Sequence, residues 1–266
     1  MASKNSDRAF VAGLALIGGF YLLLIVAMLV ADASFTTPNR VWDALKVPEI
    51  RYSIKLSLIT CSLTALLSVW VATPIGYVLS RFNFPGKSIV EAVLDIPIVL
   101  PPLVVGLSLL ILFQTLPGKI IERFIPMTYA TPGIVLAQFS VACAFAARTM
   151  RGTFEQISPR GEQVAMTLGC SRAQAFWRVA LPEARHGLLT AATLAWARSL
   201  GEFGPILVFS GATRFRTEVL PTTVFLELGV GSLETAVAVS LLMVGAAAVV
   251  LTLVRLVGGS EASRAV

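Results

Sequence analysis

Six apolar runs separated by short polar connections organise the chain, at positions 9–31, 56–79, 89–113, 130–147, 188–210 and 235–254. A hydrocarbon core about 30 Å thick takes roughly 20 apolar residues per helical crossing, so the pattern predicts an all-α membrane protein with six transmembrane helices. The first run follows Lys4 and Arg8 and ends before Asp32, as a signal peptide does, but its length exceeds a signal core and predicts an uncleaved helix. In the second run only hydroxyl residues such as Ser57, Thr60, Ser62, Thr64 and Ser68 interrupt the apolar pattern, and these can hydrogen-bond within their own helix or to a neighbour. The third carries Glu91 and Asp95 near its start and Pro97, Pro101 and Pro102 within it, so it is expected to be kinked or broken. Only the fifth holds charges at mid-span, Arg198 and Glu202.

Composition agrees with a bilayer as the solvent: 56% of residues are hydrophobic, 14% are charged and the mean hydropathy is +0.82. The 266 residues suffice for one transmembrane domain. A net charge of +6 raises the question of nucleic acid, but no basic stripe interleaved with aromatics accompanies it; loop arginines obeying the positive-inside rule account for the excess. With the N-terminus inside, 12 of the 21 basic residues fall in cytoplasmic segments and eight outside, although Arg40, Lys46, Arg51 and Lys55 lean the other way. Cys61, Cys143 and Cys170 have no paired spacing and His186 is the single histidine, so neither a disulfide framework nor a metal or cofactor site is indicated. Gly86-Lys87-Ser88 lacks the glycine that a phosphate loop needs five residues earlier, where Arg81 stands, and no nucleophile or zinc-hydrolase motif is present. The chain is not expected to be an enzyme.

Residues 148–187 form the longest polar connection and read as helix, turn, helix. Ser158-Pro159 starts a short helix with Val164, Ala165 and Leu168 at helical spacing, and Gly169 ends it. Ser171 to Gln174 fits a capping box for a second helix, whose apolar stripe of Ala173, Phe176, Trp177 and Ala180 runs to Leu181-Pro182. A pair of helices lying in the membrane interface is one reading of this pattern.

The string Glu162-Gln163-Val164-Ala165-Met166-Thr167-Leu168-Gly169, followed after nine residues by Val179-Ala180-Leu181-Pro182, resembles the EAA loop of ABC importer permeases. Aligned on Gly169 and Leu181-Pro182, the loop keeps the family spacing and its second alanine, with the acidic residue one place early at Glu162. The resemblance implies a cytoplasmic coupling helix that docks on a separate ATP-binding subunit, with Glu162, Ala165, Leu168, Gly169, Ala173, Leu181 and Pro182 at or near the contact. A cytoplasmic loop at this point places both termini inside.

Arg198 and Glu202 stand four apart on one helix face, in a stretch running through Ser199, Leu200 and Gly201 to Phe203, Gly204 and Pro205. A lone charge at the bilayer centre costs about 2.5–3.5 kcal/mol on insertion scales, so this face is expected to meet protein or a water-filled route. A self-neutralising ion pair at a helix contact and a translocation pathway lined by Arg198, Gly201, Glu202 and Gly204 both satisfy that demand. The stretch, with Thr217 to Pro221, also resembles permeases for molybdate, tungstate and sulfate, a likeness that runs from the second crossing onward. It implies a type I ABC importer permease fold in a bacterial or archaeal cytoplasmic membrane. It also implies two permease copies, an extracytoplasmic substrate-binding protein, two ATPase subunits, and a tetrahedral oxyanion as cargo, molybdate or tungstate ahead of sulfate. An ABC permease for a different small solute, a secondary transporter using Glu91 and Asp95 as proton carriers, and a membrane scaffold without transport are the rival readings.

Overall fold

The computed structural model describes the backbone of residues 2–262 and the side chains of 10–252 and 254. The side chains of Lys4, Arg8 and Arg255, and all of Arg264, which enter the orientation argument, lie outside the described residues. Among the described residues all regular structure is helical. The first helix, α1 (Ala2–Phe35), runs unbroken through Asp32; after α2 (Pro38–Lys46) comes α3 (Pro48–Arg81), then α4 (Lys87–Val99), α5 (Pro102–Gln114), α6 (Leu116–Phe124) and α7 (Thr131–Gln156). Next come α8 (Arg160–Thr167), α9 (Arg172–Ala175), a π-helical turn at Phe176–Ala180 and α10 (Leu181–Glu183). The chain finishes with α11 (Arg185–Leu200), α12 (Gly204–Phe209), α13 (Leu220–Gly229) and α14 (Leu233–Ala262).

Among the described residues four helices are long and apolar enough to cross a membrane: α1 from Phe10, α3, α7 and α14 to Thr252. A fifth candidate is the pair α4 and α5, which meet at 112° across Leu100 and Pro101. Pro101 and Pro102 have no N–H to continue the ladder and they hold the preceding backbone extended, while Pro97 is carried inside α4. The run 188–210 is not one helix. It breaks at Gly201–Phe203 into α11 and α12, neither long enough to span alone, because Pro205 removes one ladder donor and its ring displaces the carbonyl four residues back, that of Gly201.

The polar connection is shorter than its composition suggests. Although Arg148 and Arg151 look like loop residues, α7 stays helical to Gln156, because Arg151 pairs with Glu155 at 2.7 Å and with Glu91 of α4 at 3.1 Å. The connection therefore spans 157–184, and α11 begins at Arg185 rather than 188.

The bundle is centred on α3, α7 and α11, whose buried contacts include Ala65, Ala72, Ala142, Ala146, Ala191 and Ala195. Lipid gives apolar side chains no reason to leave it, so close backbone approach through small residues supplies the packing. A second cluster gathers Leu56, Phe113, Ile134, Ala137, Ile206 and Phe209 where α5 and α12 meet α3 and α7. There a Cβ on Gly106 would stand 2.8 Å from the Pro205 backbone, and one on Gly204 would stand 2.9 Å from Pro102. Packed against α14, α1 leaves its apolar side chains exposed, as a helix facing lipid or another subunit does.

Candidate functional site

Two regions carry the sequence-predicted residues. In the connection, α8 projects from the bundle and ends at Gly169, whose φ of +94° lies in the left-handed region that glycine occupies without penalty. The amide of Cys170 reaches back to the Ala165 carbonyl at 3.0 Å, closing the turn. Ser171 then caps α9 as a full capping box: the Gln174 amide donates to its Oγ at 3.2 Å, and the Ser171 amide donates to Gln174 Oε1 at 2.8 Å. Pro182 explains the π turn that follows. A proline in an α-helix collides with the carbonyl four residues back, and widening to a five-residue bond gives it room; the Leu181 amide accordingly donates to Phe176 O.

The residues singled out in this loop divide by burial. Leu168 is 80% exposed and stands beside exposed Val164, Gly169 and Ala173, while Trp177 is exposed on the following helix. Ala165 and Leu181 are half-buried and Pro182 is exposed. Glu162 turns inward: its carboxylate accepts from Arg81 Nε at 2.8 Å and from the Tyr77 hydroxyl at 2.6 Å. The same guanidinium donates to the carbonyls of Phe154 (2.7 Å) and Ile157 (3.0 Å), which α7 leaves without helical partners at its end. Tyr77 packs edge-on against Phe154 and Phe176, so α3, α7, α8 and the π turn share one aromatic and ionic knot. Glu162 thus holds the loop to the bundle while Leu168 and Val164 face outward. Nothing local in the sequence announces Arg81 or Tyr77 as its partners.

The second region is the pair of helix breaks. Arg198 and Glu202 form an ionic contact at 3.3 Å across the end of α11. Glu202 is 1% exposed, whereas the Arg198 side chain is one-third exposed and lies 5.5 Å from the centre of the Phe145 ring. Gly201 is exposed at the break, and Gly204 is buried against Pro102 where α4 turns into α5. The structure therefore brings Gly204 and Pro102 together and sets Pro101 next to them in the chain, while Pro97 lies a turn earlier in α4. Gln138 of α7, not anticipated from the sequence, ties the break together. Its Nε2 donates to the Ser199 carbonyl at 3.2 Å, near the end of α11, and its Oε1 accepts from Thr64 of α3 at 3.1 Å. A glutamine inside an apolar run was the available signal. The carboxylates that a proton-coupled carrier would need have arginine partners: Glu91 meets Arg151, and Asp95 meets Arg148 at 3.9 Å.

The family model described as binding-protein-dependent transport system inner membrane component matches residues 72–258. The chain belongs to this family. It is an ABC importer permease, resident in the inner membrane. The permease is 32% identical to the sulfate transport system permease protein CysT of Salmonella typhimurium over 210 residues, covering 78% of this chain and 76% of that one. It is 34% identical to the molybdenum transport system permease protein ModB of Mycobacterium bovis over 232 residues, covering 86% and 88%. Identity with the molybdate/tungstate transport system permease protein WtpB of Thermococcus kodakarensis is 35% over 193 residues, covering 71% and 74%. Among solved structures, a chain of a bacterial ABC transporter involved in the import of the acidic polysaccharide alginate superposes with a TM-score of 0.76. That match covers 97% of the permease and 98% of the other chain at 15% identity, a likeness of fold alone.

Proposed function

We propose that this permease forms, with a second copy, the membrane path for a tetrahedral divalent oxyanion of the molybdate, tungstate and sulfate class. An extracytoplasmic binding protein delivers the anion, and a separate ATPase subunit docked on residues 157–184 powers entry into the cytoplasm. The observation that carries this reading is the loop itself: an outward apolar surface of Leu168 and Val164 at a glycine turn, braced from behind by the Arg81–Glu162 pair. An outward apolar knob on a braced mount suits a groove in another protein, and the brace carries a push to α3 and α7. The named relatives support the substrate class, and selection within it rests with the binding protein. Loop docking fixes the N-terminus inside, with α7 descending to the cytoplasmic face.

The test is uptake of radiolabelled molybdate, tungstate and sulfate by cells lacking and regaining the gene. Accumulation of one of them that needs the ATPase partner and survives an uncoupler at constant ATP supports the reading. Accumulation that collapses with the uncoupler and persists without the ATPase identifies an ion-coupled carrier instead.

A second test addresses coupling. Gly169→Val places a β-branched residue in the left-handed region, at a cost of about 1–2 kcal/mol at one exposed corner, too little to unfold the bundle. Membrane insertion is expected to be normal, with uptake and substrate-stimulated ATP hydrolysis both lost. Wild-type rates of both in this variant would remove the loop from the coupling role.

A further inference from the structure

Between the cytoplasmic ends of α7 and α11 lies a groove of about 510 Å³ that neither the loop nor the helix breaks account for. Its α7 wall presents Arg148, Thr149, Gly152 and Gln156, one helical face; its α11 wall presents His186 and Thr190, with Glu183 at the mouth. The α7 face continues upward. Phe145, one turn above Arg148 and Thr149, is the ring under the Arg198 guanidinium, and Arg198 lies about 18 Å along α11 from His186. The groove is therefore in register with the buried pair at the helix break.

Its chemistry is specific. Thr149 donates its hydroxyl proton to Phe145 O (2.9 Å), Thr153 to Thr149 O (2.9 Å) and Thr190 to His186 O (2.9 Å), so these hydroxyls present lone pairs to the groove, not protons. Lone pairs cannot replace the hydration shell of an anion, but they accept from the water in that shell. Among the described residues that line the groove, Arg148 carries the positive charge. Whereas Arg151 is held by two carboxylates at 2.7 and 3.1 Å, Arg148 is 67% exposed and touches Asp95 only at 3.9 Å, so exchanging that contact for another anion costs little.

We propose that this groove is a release site for the hydrated divalent oxyanion, in which Arg148 leaves Asp95 to pair with the anion, and Glu183 with the hydroxyl lone pairs keeps it loosely held. The proposal rests on the transport reading above. A site built this way binds weakly and does not distinguish sulfate from molybdate or tungstate, because it reads charge through water and not oxyanion size. Weak holding is what an exit requires: a tight site there would trap the cargo.

The experiment uses the assembled transporter with its ATPase, in inside-out membrane vesicles. Cysteine is introduced by Gly152→Cys, where an added Cβ meets nothing within 4 Å. Cys143 and Cys170 are replaced by serine, and buried Cys61 is left in place. A sulfonate-bearing thiol reagent is applied from the cytoplasmic side, with sulfate, molybdate or tungstate compared against chloride at equal ionic strength. Each oxyanion is expected to slow modification by 1 + [L]/Kd, about threefold at twice its Kd, with similar constants for all three. Arg148→Gln should abolish the protection and Arg148→Lys should retain it. Equal rates in oxyanion and chloride, a cysteine that no cytoplasmic reagent reaches, or protection undiminished in Arg148→Gln would overturn the site. Uptake by cells carrying the unaltered chain separates the two readings: uptake there without protection in the vesicles sinks the release site alone, while absence of any ATP-dependent oxyanion uptake by those cells sinks the transport reading.

Discussion

Arg81→Ala is expected to destabilise the permease by about 3–5 kcal/mol, the range for removing one partner of a buried ion pair. The substitution strands the Glu162 carboxylate among Tyr77, Phe154 and Phe176, and it orphans the Phe154 and Ile157 carbonyls at the end of α7. Glu162→Gln should cost less, about 1–3 kcal/mol, because the amide oxygen still accepts from Arg81 while the amide NH2 can donate to the Tyr77 hydroxyl oxygen. Replacing both residues by apolar side chains of similar volume should recover part of the loss, since no charge is then buried unpaired. Thermal unfolding in detergent measures the order of the three, and protease cleavage within 157–184 reports whether the loop has come loose. If Arg81→Ala costs under about 1 kcal/mol, the pair behaves as a surface bridge and cannot brace the loop.

The second large effect is at the helix break, and it is asymmetric. Glu202 is buried while Arg198 keeps one-third of its side chain exposed and has the Phe145 ring beside it. Arg198→Ala therefore leaves a buried carboxylate with no cation, and is expected to cost about 3–5 kcal/mol. Glu202→Ala leaves a cation that can turn to water or to the ring, and should cost about 1–3 kcal/mol. Removing both should be milder than either single change. The double-mutant cycle, read as thermal stability and as uptake, gives the coupling; additive single effects would show that the two side chains do not act as a pair.

Much of this architecture is legible in the sequence because it is set by neighbours in the chain. Unbroken apolar runs give α1, α3, α7 and α14, and the Ser171 capping box needs only residues three apart. The helix boundaries at Arg148 and at 188–210 are not legible in the same way. Whether an arginine stays in a helix depends on a carboxylate from another element, here Glu91 for Arg151. The cue for breaking the run near its end is present in Gly201, Gly204 and Pro205, but length and hydropathy average it away. In the sites, local spacing finds the Gly169 corner and the i,i+4 pair of Arg198 and Glu202. It does not find the orientation of Glu162, whose partner is 81 residues away, or Gln138, whose role depends on a carbonyl that only the broken helix exposes.

The closeness of Gly106 to Pro205, and of Gly204 to Pro102, has a mechanical outcome. Backbones meshed at that distance have no room to slide past one another, so the bent pair α4–α5 and the divided α11–α12 are geared together. Any stroke delivered to one is delivered at once to the other, so the two breaks shift as a single unit.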